Sequence, residues 1–435
     1  MNVLLIGSGA REHAIARAID NSPKNNSLYC FASNMNPGIS EVCTGLSLGK
    51  INDPKAVVEY AKETSSTLAV IGPENPLASG VADALWDVSV KVVGPKKDLA
   101  KVETSKAFTR DLLNEYNIPG GPHYKTFDSI AGVDDFLTEL GENYVVKYDG
   151  LAGGKGVKVA GDHLQSHDDA LAYCMELVDK GSDFVIEEKF IGQEFSLMSF
   201  CDGETLKHMP AVQDHKRAYE GDTGPNTGGM GTYSDADHSL PFLKDSDLQE
   251  AYAINIATAN ALKNKCGEGY KGVLYGGFMA TGSGVKLIEY NARFGDPEAM
   301  NVLPLLESDF VDICECVADG TLDSIDVRFQ KKATVCKYAV PEGYPNNPVK
   351  GEPINIANIK NSDGLFYASV DIKNGSLLEA GSRTVAVLGM ADSIPEAEAI
   401  AEKEVSSVSG PLFHRSDIGT KTVIQNRIDH MNSLR

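Results

Sequence analysis

Val3-Leu4-Leu5-Ile6-Gly7-Ser8-Gly9-Ala10-Arg11-Glu12-His13-Ala14 opens the chain on four apolar residues, a glycine turn, and a stretch whose Ala14, Ile15, Ala18 and Ile19 fall on one helical side. Four apolar residues are too few for a buried helix and read as a strand covered on both faces, which the turn delivers into a helix. The same pattern recurs outward from this point. Residues 28–32 read as a second strand, 56–62 as a helix, 68–71 as a third strand ending at Gly72-Pro73-Glu74, and 90–93 as a fourth ending at Gly94-Pro95. Short buried strands alternating with helices predict a parallel sheet with crossover helices over about the first hundred residues, with ligands beyond the carboxyl ends of the strands.

Farther along, a helix is expected over 105–117, closed by the hinge-like Ile118-Pro119-Gly120-Gly121-Pro122. Two short strands, 144–147 and 184–188, flank a glycine loop and a helix around 169–178. Residues 273–291 read as two more strands, and a helix follows Pro297. After about residue 328 come short strands at 333–340, 365–370 and 384–389, then a final helix over 395–408.

The 435-residue chain is 42% hydrophobic and 23% charged, the balance of a folded protein of about two to four domains. Forty basic against 61 acidic residues leave a net charge of −21, which disfavours attachment to nucleic acid or to an anionic membrane. An anionic substrate must therefore meet local positive charge. The eight cysteines contain no C-x-x-C, so no zinc pattern or disulfide framework is expected, and a reducing compartment follows. No stretch approaches the roughly 18 apolar residues of a membrane span, and Met1–Gly7 has no basic leader, so a cytoplasmic protein is expected.

The first glycine turn lacks the third glycine of a dinucleotide fingerprint, having Glu12 there, and residues 32–34 (Ala-Ser-Asn) lack the acidic group that would hold a ribose. An anion on its backbone N–H groups is the preferred reading, with a purely structural turn and then a dinucleotide as the alternatives. A second loop, Asp149-Gly150-Leu151-Ala152-Gly153-Gly154-Lys155-Gly156, surrounds one lysine with four glycines. It is not a Walker loop, since no Ser or Thr follows the lysine. It reads equally as a backbone closing over phosphates and as a hairpin turn with a solvated lysine. Charges on neighbouring strand ends, Lys147, Glu187, Glu188 and Glu194, together with Phe190, would make a nucleotide cleft, although each alone reads as a solvated strand end.

A third run, Gln213-Asp214-His215-Lys216-Arg217 leading to Asp222-Thr223-Gly224-Pro225-Asn226-Thr227-Gly228-Gly229-Met230-Gly231, is too polar for core and suits the wrapping of a small polar substrate, against the alternative of a flexible connector. Finally, two-residue alternation puts Glu289, Asn291 and Arg293 on one strand face. Glu and Asn supply the oxygens a hard cation takes, and an arginine beside them can clamp an anion. A surface salt-bridge row is the alternative. The metal reading is preferred because the strand is otherwise apolar and runs into Gly295-Asp296-Pro297.

Together these segments resemble the phosphoribosylamine–glycine ligase family of the ATP-grasp superfamily. The resemblance runs in order through residues 7–14, 71–77 (IGPENPL), 103–112 (ETSKAFTRDL), 145–157, 185–196, 213–233 and 272–298. It implies an N-terminal Rossmann-like domain over 1–103, an ATP-grasp domain over 104–328 with a mobile subdomain about 122–192, and a C-terminal mixed β/α domain over 329–435. It further implies ligation of glycine to 5-phosphoribosylamine through a glycyl phosphate, with another ATP-grasp carboxylate–amine ligase as the alternative.

Residue by residue, the resemblance puts Lys106, Lys147, Gly153, Gly154, Lys155 and Gly156 at the ATP phosphates, and Glu187, Glu188, Phe190 and Glu194 at adenosine. Mg²⁺, or Mn²⁺ in its place, would sit on Glu289 and Asn291. Asp214, Lys216 and Arg293 would be catalytic. Asn226, Thr227, Gly228, Gly229 and Met230, with Gly9, Ala10, Arg11, Glu12 and Glu74, would bind substrate. Ala10, Tyr148 and Ala292 depart from the family's common residues without removing a charge or a ligand. The partners implied are ATP, glycine and 5-phosphoribosylamine, with no nucleic acid or membrane, for a monomer or weak homodimer.

Overall fold

The computed structural model describes residues 1–153 and 156–435. Its first sheet contains β1 (Asn2–Ile6), β2 (Ser27–Ala32), β3 (Gly45–Leu48), β4 (Leu68–Ile71) and β5 (Lys91–Val93), all parallel in the order β3-β2-β1-β4-β5. Val3, Leu4, Leu5 and Ile6 are fully buried, as a strand covered by helices on both faces requires. The edge strand β3 has no buried apolar run to mark it in the sequence, since Gly45, Leu46 and Ser47 are half-buried and Leu48 is exposed. The strand order reverses between β1 and β4, so the crevice beyond their carboxyl ends is where Arg11 and Glu74 emerge.

A separate lobe is built around an antiparallel sheet of β6 (Tyr124–Phe127), β7 (Tyr144–Tyr148), β8 (Val157–Val159) and β9 (Phe184–Glu188), ordered β6-β9-β7-β8. Phe127, Phe136, Val146, Phe184 and Ile186 form a core of its own, distinct from the core that runs through the rest of the chain. The body then continues through β10 (Gly192–Asp202), β11 (Leu206–His208), β12 (Gln213–Asp214), β13 (Arg217–Tyr219), β14 (Thr223–Asn226), β15 (Gly231–Ser234), β16 (Lys271–Thr281) and β17 (Gly284–Asn291). An antiparallel sheet β11-β10-β16-β17 forms the floor opposite the lobe.

The C-terminal strands β18 (Ala333–Pro341), β19 (Leu365–Tyr367), β20 (Val370–Lys373), β21 (Ser376–Glu379) and β22 (Val385–Ala391) do not stand alone. β15 pairs antiparallel with β18, so one sheet, β12-β15-β18-β22-β19, joins the glycine-rich run to the C-terminal part. Two expectations need correction here. The strand expected over 365–370 is two strands, β19 and β20. The helix expected to be last spans Ile394–Val405 and is followed by another, Lys421–Leu434, whose polar sequence buries only Ile424 and Met431. The 22-residue helix Asp245–Cys266 was also not anticipated. No helix among the described residues is long and apolar enough to cross a membrane.

Candidate active site

A cleft of about 870 Å³ lies between the lobe, the floor and the 213–231 run, within the size range of small-molecule sites. On the lobe side, β7 carries Lys147 inward, where its Nζ donates to the carbonyl of Ile288 at 3.0 Å and pairs with Glu187 of the adjacent β9. Arg110, on the helix Lys106–Glu115, grips the same carboxylate through Nε (2.8 Å) and NH2 (3.1 Å) and also donates to Ile288 O at 2.6 Å. Burial pushes the Glu187 carboxyl up, but Arg110 and Lys147 outweigh it and hold it below the usual carboxylate range. Glu187 is thereby committed to holding two cations in place.

Asp149 caps the Lys106–Glu115 helix, accepting from the N–H of Lys106 (2.5 Å) and of Ala107 (3.2 Å). That cap brings Lys106 back to the lobe's glycine loop, where its Nζ donates to Gly150 O at 2.6 Å. Glu188, Phe190, Gly153 and Gly156 line the same side. Gly154 and Lys155 lie outside the described residues.

At the floor, Glu289 and Asn291 of β17 face the cleft. Burial raises the Glu289 carboxyl, yet Lys216, Lys147, Lys106 and Arg293 together hold it below its ordinary range, so it is a carboxylate ringed by cations. An ionised carboxylate and an amide oxygen two residues apart are hard-oxygen donors. Among the described residues no three His, Cys, Asp or Glu side chains group into a self-sufficient metal cage. This donor set fits a small hard cation that takes its remaining ligands from phosphates and water, as Mg²⁺ does.

At the far end, Arg293 contacts Glu103 at 3.0 Å and Glu74 at 3.5 Å, and its buried Nε has no hydrogen-bond partner. Lys216 pairs with Glu194 at 2.9 Å and is held above its usual range, chiefly by that carboxylate. Asp214 keeps a buried Oδ1 without a partner, and burial together with the charge of Glu298 pushes its carboxyl well up. Thr227 ties the run to Lys216 O through both its N–H (2.7 Å) and its hydroxyl (2.9 Å). From the C-terminal part, Arg383 donates to Gly228 O (2.5 Å), Gly229 O (3.2 Å) and Asp296 O (2.9 Å), and lies over the Tyr338 ring at 4.6 Å.

Eighteen of the 25 anticipated residues therefore share one cleft: those on the lobe and floor, plus Arg11, Glu74, Glu194, Asp214, Lys216, Asn226, Thr227, Gly228 and Arg293. Five others do not line it. Gly9, Ala10 and Glu12 stand aside because Glu12 turns back on its own helix, where Oε2 accepts the Gly9 N–H and Oε1 accepts Arg11 Nε, each at 2.6 Å. The anion expected at this turn is thus supplied by the chain itself. Met230 is fully buried, its N–H donating to His215 O and its carbonyl accepting the Tyr338 N–H, and Gly229 is packed against Asp214 and Pro297. Unanticipated lining residues include Glu103, Arg110, Tyr275, Glu298, Arg383 and Arg427. Arg110 was legible four residues beyond Lys106 on one helix face, and Glu298 directly follows Pro297, but nothing local marks Arg383 or Arg427.

Three family models match consecutive parts of the chain: the phosphoribosylglycinamide synthetase N domain over residues 1–103, its ATP-grasp (A) domain over 104–299, and its C domain over 334–421. Over its full length the chain is 52% identical to the phosphoribosylamine–glycine ligase of Methanosarcina barkeri and 50% identical to that of Methanocaldococcus jannaschii, each relative being covered completely. The crystal structure of phosphoribosylamine–glycine ligase from Thermotoga maritima matches with a TM-score of 0.82 at 27% identity, over 96% of this chain and 100% of that one. The biotin carboxylase domain of Hydrogenobacter thermophilus 2-oxoglutarate carboxylase, solved with MgADP and bicarbonate, matches with a TM-score of 0.71 over 99% of this chain and 93% of that one; at 13% identity it shares the fold alone. With its cleft assembled from all three matched parts, the chain belongs to the phosphoribosylglycinamide synthetase family.

Proposed function

We infer that the chain is an ATP-dependent carbon–nitrogen ligase that joins glycine to 5-phosphoribosylamine, giving glycinamide ribonucleotide, ADP and phosphate in purine biosynthesis. The observation that carries the chemistry is the gathering of Lys106, Lys147, Lys216 and Arg293 around one cleft that Glu289 and Asn291 also line. A glycine carboxylate oxygen attacks the γ-phosphorus of ATP and ADP leaves. The amine nitrogen of phosphoribosylamine then attacks the acyl carbon, the carbon–oxygen bond to phosphate breaks, and the amine gives up a proton as phosphate departs. Both steps crowd anions together, so the essential contribution is fixed positive charge rather than a side-chain nucleophile.

Within this reading Lys106, Lys147, Gly153 and Gly156 attend the phosphates, joined by Gly154 and Lys155, while Glu188 and Phe190 border adenosine. Glu187 serves by fixing Lys147 and Arg110. Glu289 and Asn291 would hold Mg²⁺, with Mn²⁺ as the alternative occupant, and the ion would add charge neutralisation at the transferring phosphoryl group. Glu289→Gln is expected to abolish ADP formation while the folded state persists by circular dichroism; wild-type turnover would remove the metal assignment.

Asp214, with its unpartnered buried oxygen, is suited to the ammonium of glycine, whose approach offsets the burial that raises its carboxyl. Arg293 and Lys216 neutralise the reacting carboxylate, while Asn226, Thr227, Gly228, Arg11 and Glu74 border the phosphosugar. We take 1–103, 104–328 and 329–435 as the domain division, the cytoplasm as the compartment, and monomer or weak homodimer as the solution state, which sedimentation would measure. The reaction itself is tested by ADP release from Mg-ATP, glycine and phosphoribosylamine generated in the same tube, with each component omitted in turn. ADP that requires both co-substrates, with a product of the mass of glycinamide ribonucleotide, supports the reading; turnover with another acid in place of glycine overturns the substrate assignment.

A further inference from the structure

The hairpin of β13 and β14 carries Lys216 at its entrance and Asn226 at its exit, and besides its own bonds from Arg217 to Gly224 O and from Thr223 to Glu220 O it is tied to the C-terminal segment. At its tip Gly221 and Asp222 both have left-handed backbone, φ +69° and +54°, which an aspartate tolerates better than most side chains and which its surroundings here hold in place. The surroundings are two arginines nearly 200 residues away in sequence. Arg415 NH1 donates to Asp222 Oδ1 at 2.8 Å and to Arg217 O at 3.0 Å, while its Nε and NH2 rest on Asp417 at 2.8 and 2.7 Å. Arg427, on the helix Lys421–Leu434, donates through NH2 to Asp222 Oδ2 at 2.8 Å and through NH1 to Gln193 Oε1 at 2.7 Å. Asp417 in turn accepts the Gly221 N–H at 3.0 Å.

One carboxylate thus bridges two guanidinium groups, and one of them, Arg415, is 1% exposed. Burying a guanidinium is expensive unless geometry and partners are complete; all three nitrogens of Arg415 have partners around the hairpin tip, whereas Arg427 leaves its buried Nε without one. Neither arginine contacts the floor residues Glu289 or Asn291. Their contacts end on the hairpin, on Asp417 and on Gln193.

We propose that Asp222 is the anchor through which the C-terminal segment, by way of Arg415 and Arg427, positions the glycine and phosphoribosylamine wall of the cleft. The three are positioning residues: they set where Lys216 and residues 226–228 stand, and they reach the nucleotide side only at its edge, through Gln193 and through the Arg217–Asp162 pair. The inference rests on the reading of that wall as the site for glycine and phosphoribosylamine.

The test uses the full-length protein with Arg427→Gln and Arg427→Lys, sparing the more deeply buried Arg415. Hydrogen exchange of peptides covering 217–231 reports the anchor directly, whatever the substrate. In the glutamine variant those amides are expected to exchange about tenfold faster, and kcat/KM for glycine to fall about tenfold or more, because a misplaced wall loses positioning. The KM for ATP stays within about twofold, since Lys106 and Lys147 are held by Gly150, Ile288 and Glu187, none of which the hairpin touches. Lysine keeps one ion pair to Asp222 and recovers part of both losses. Unchanged exchange in Arg427→Gln overturns the anchor, and so does a loss shared equally between ATP and glycine. If exchange accelerates but glycine does not stimulate ADP release even in the wild type, the positioning stands and the substrate reading falls.

Discussion

Two glycine-rich loops face each other across the cleft, and they use glycine for opposite reasons. In the lobe loop Gly153 has φ +54° and nothing within 4 Å of where a Cβ would stand. Across the cleft Gly229 has φ +109°, and a Cβ there would lie 2.6 Å from Asp214 and 2.8 Å from Pro297. The first glycine leaves backbone free to approach a ligand. The second lets two pieces of protein come together so that other residues can meet the ligand. Similar composition therefore marks a loop whose work is unfinished without nucleotide, and a wall already built by packing and by arginines from the C-terminal part.

The contrast can be broken most forcefully on the lobe side. Glu187→Gln would leave Lys147 and Arg110 buried without their counter-charge, and about 3–5 kcal/mol of stability should be lost in denaturant melts, the range for breaking a buried pair; a change below about 1 kcal/mol would show that the triad holds nothing together. Next, Gly229→Ala should lower kcat/KM for glycine about a hundredfold, since displacing Asp214 spoils the wall. Retention of wild-type turnover would mean that the packing is dispensable.

Acid should separate the two walls. His215, under the glycine-rich run, is pushed down to about 3 by burial, with Arg427 and Arg415 adding to the effect and Asp222 and Asp417 opposing it. An unfolded histidine titrates at 6.5, so between 6.5 and about 3 the unfolded or opened chain binds the extra proton. The contribution of His215 is then complete above 6.5 and falls as pH drops, whereas Asp214 in the same run, its carboxyl pushed well up by burial and by Glu298, works the other way and is most favourable in acid. Glu187, held low, behaves differently: its contribution is full above its ordinary 4.5 and is lost only as pH falls through its lowered value. In an Asp214→Asn background, where the opposing group is absent, protection from hydrogen exchange relative to the intrinsic rate should therefore be lost at pH 5 in 213–233 before it is in β7 and β9, and simultaneous loss would contradict this. His13 and His208, also buried and pushed down to about 3 and about 4, share the histidine window, which makes the local readout necessary. Smallest of all, Gly153→Ala should cost about 1 kcal/mol for the left-handed backbone and leave the KM for glycine unchanged; a loss as large as that of Gly229→Ala would erase the distinction.

Much of this was legible because the decisive segments are local. β1 and β4 announce themselves as unbroken apolar runs, and the Gln213–Arg217 and Glu289–Arg293 segments place several functional groups within a few residues. The unread parts depend on distant partners. Nothing around Arg383, Arg415 or Arg427 says that each ends on a loop some 155 to 205 residues away. Similarly, Glu12 looks like a ligand residue until its carboxylate is found closing its own turn. Met230 sits in a polar run yet belongs to the core, because β15 pairs with β18. The helix Lys421–Leu434 escaped because it buries too little to leave an apolar period.

The central claim, that this cleft activates a carboxylate by phosphorylation before an amine attacks, is tested most directly with glycine labelled with ¹⁸O in its carboxylate. If a glycyl phosphate forms and is consumed, one labelled oxygen passes to inorganic phosphate for each glycinamide ribonucleotide made. Product formed with no label in the phosphate would contradict the account.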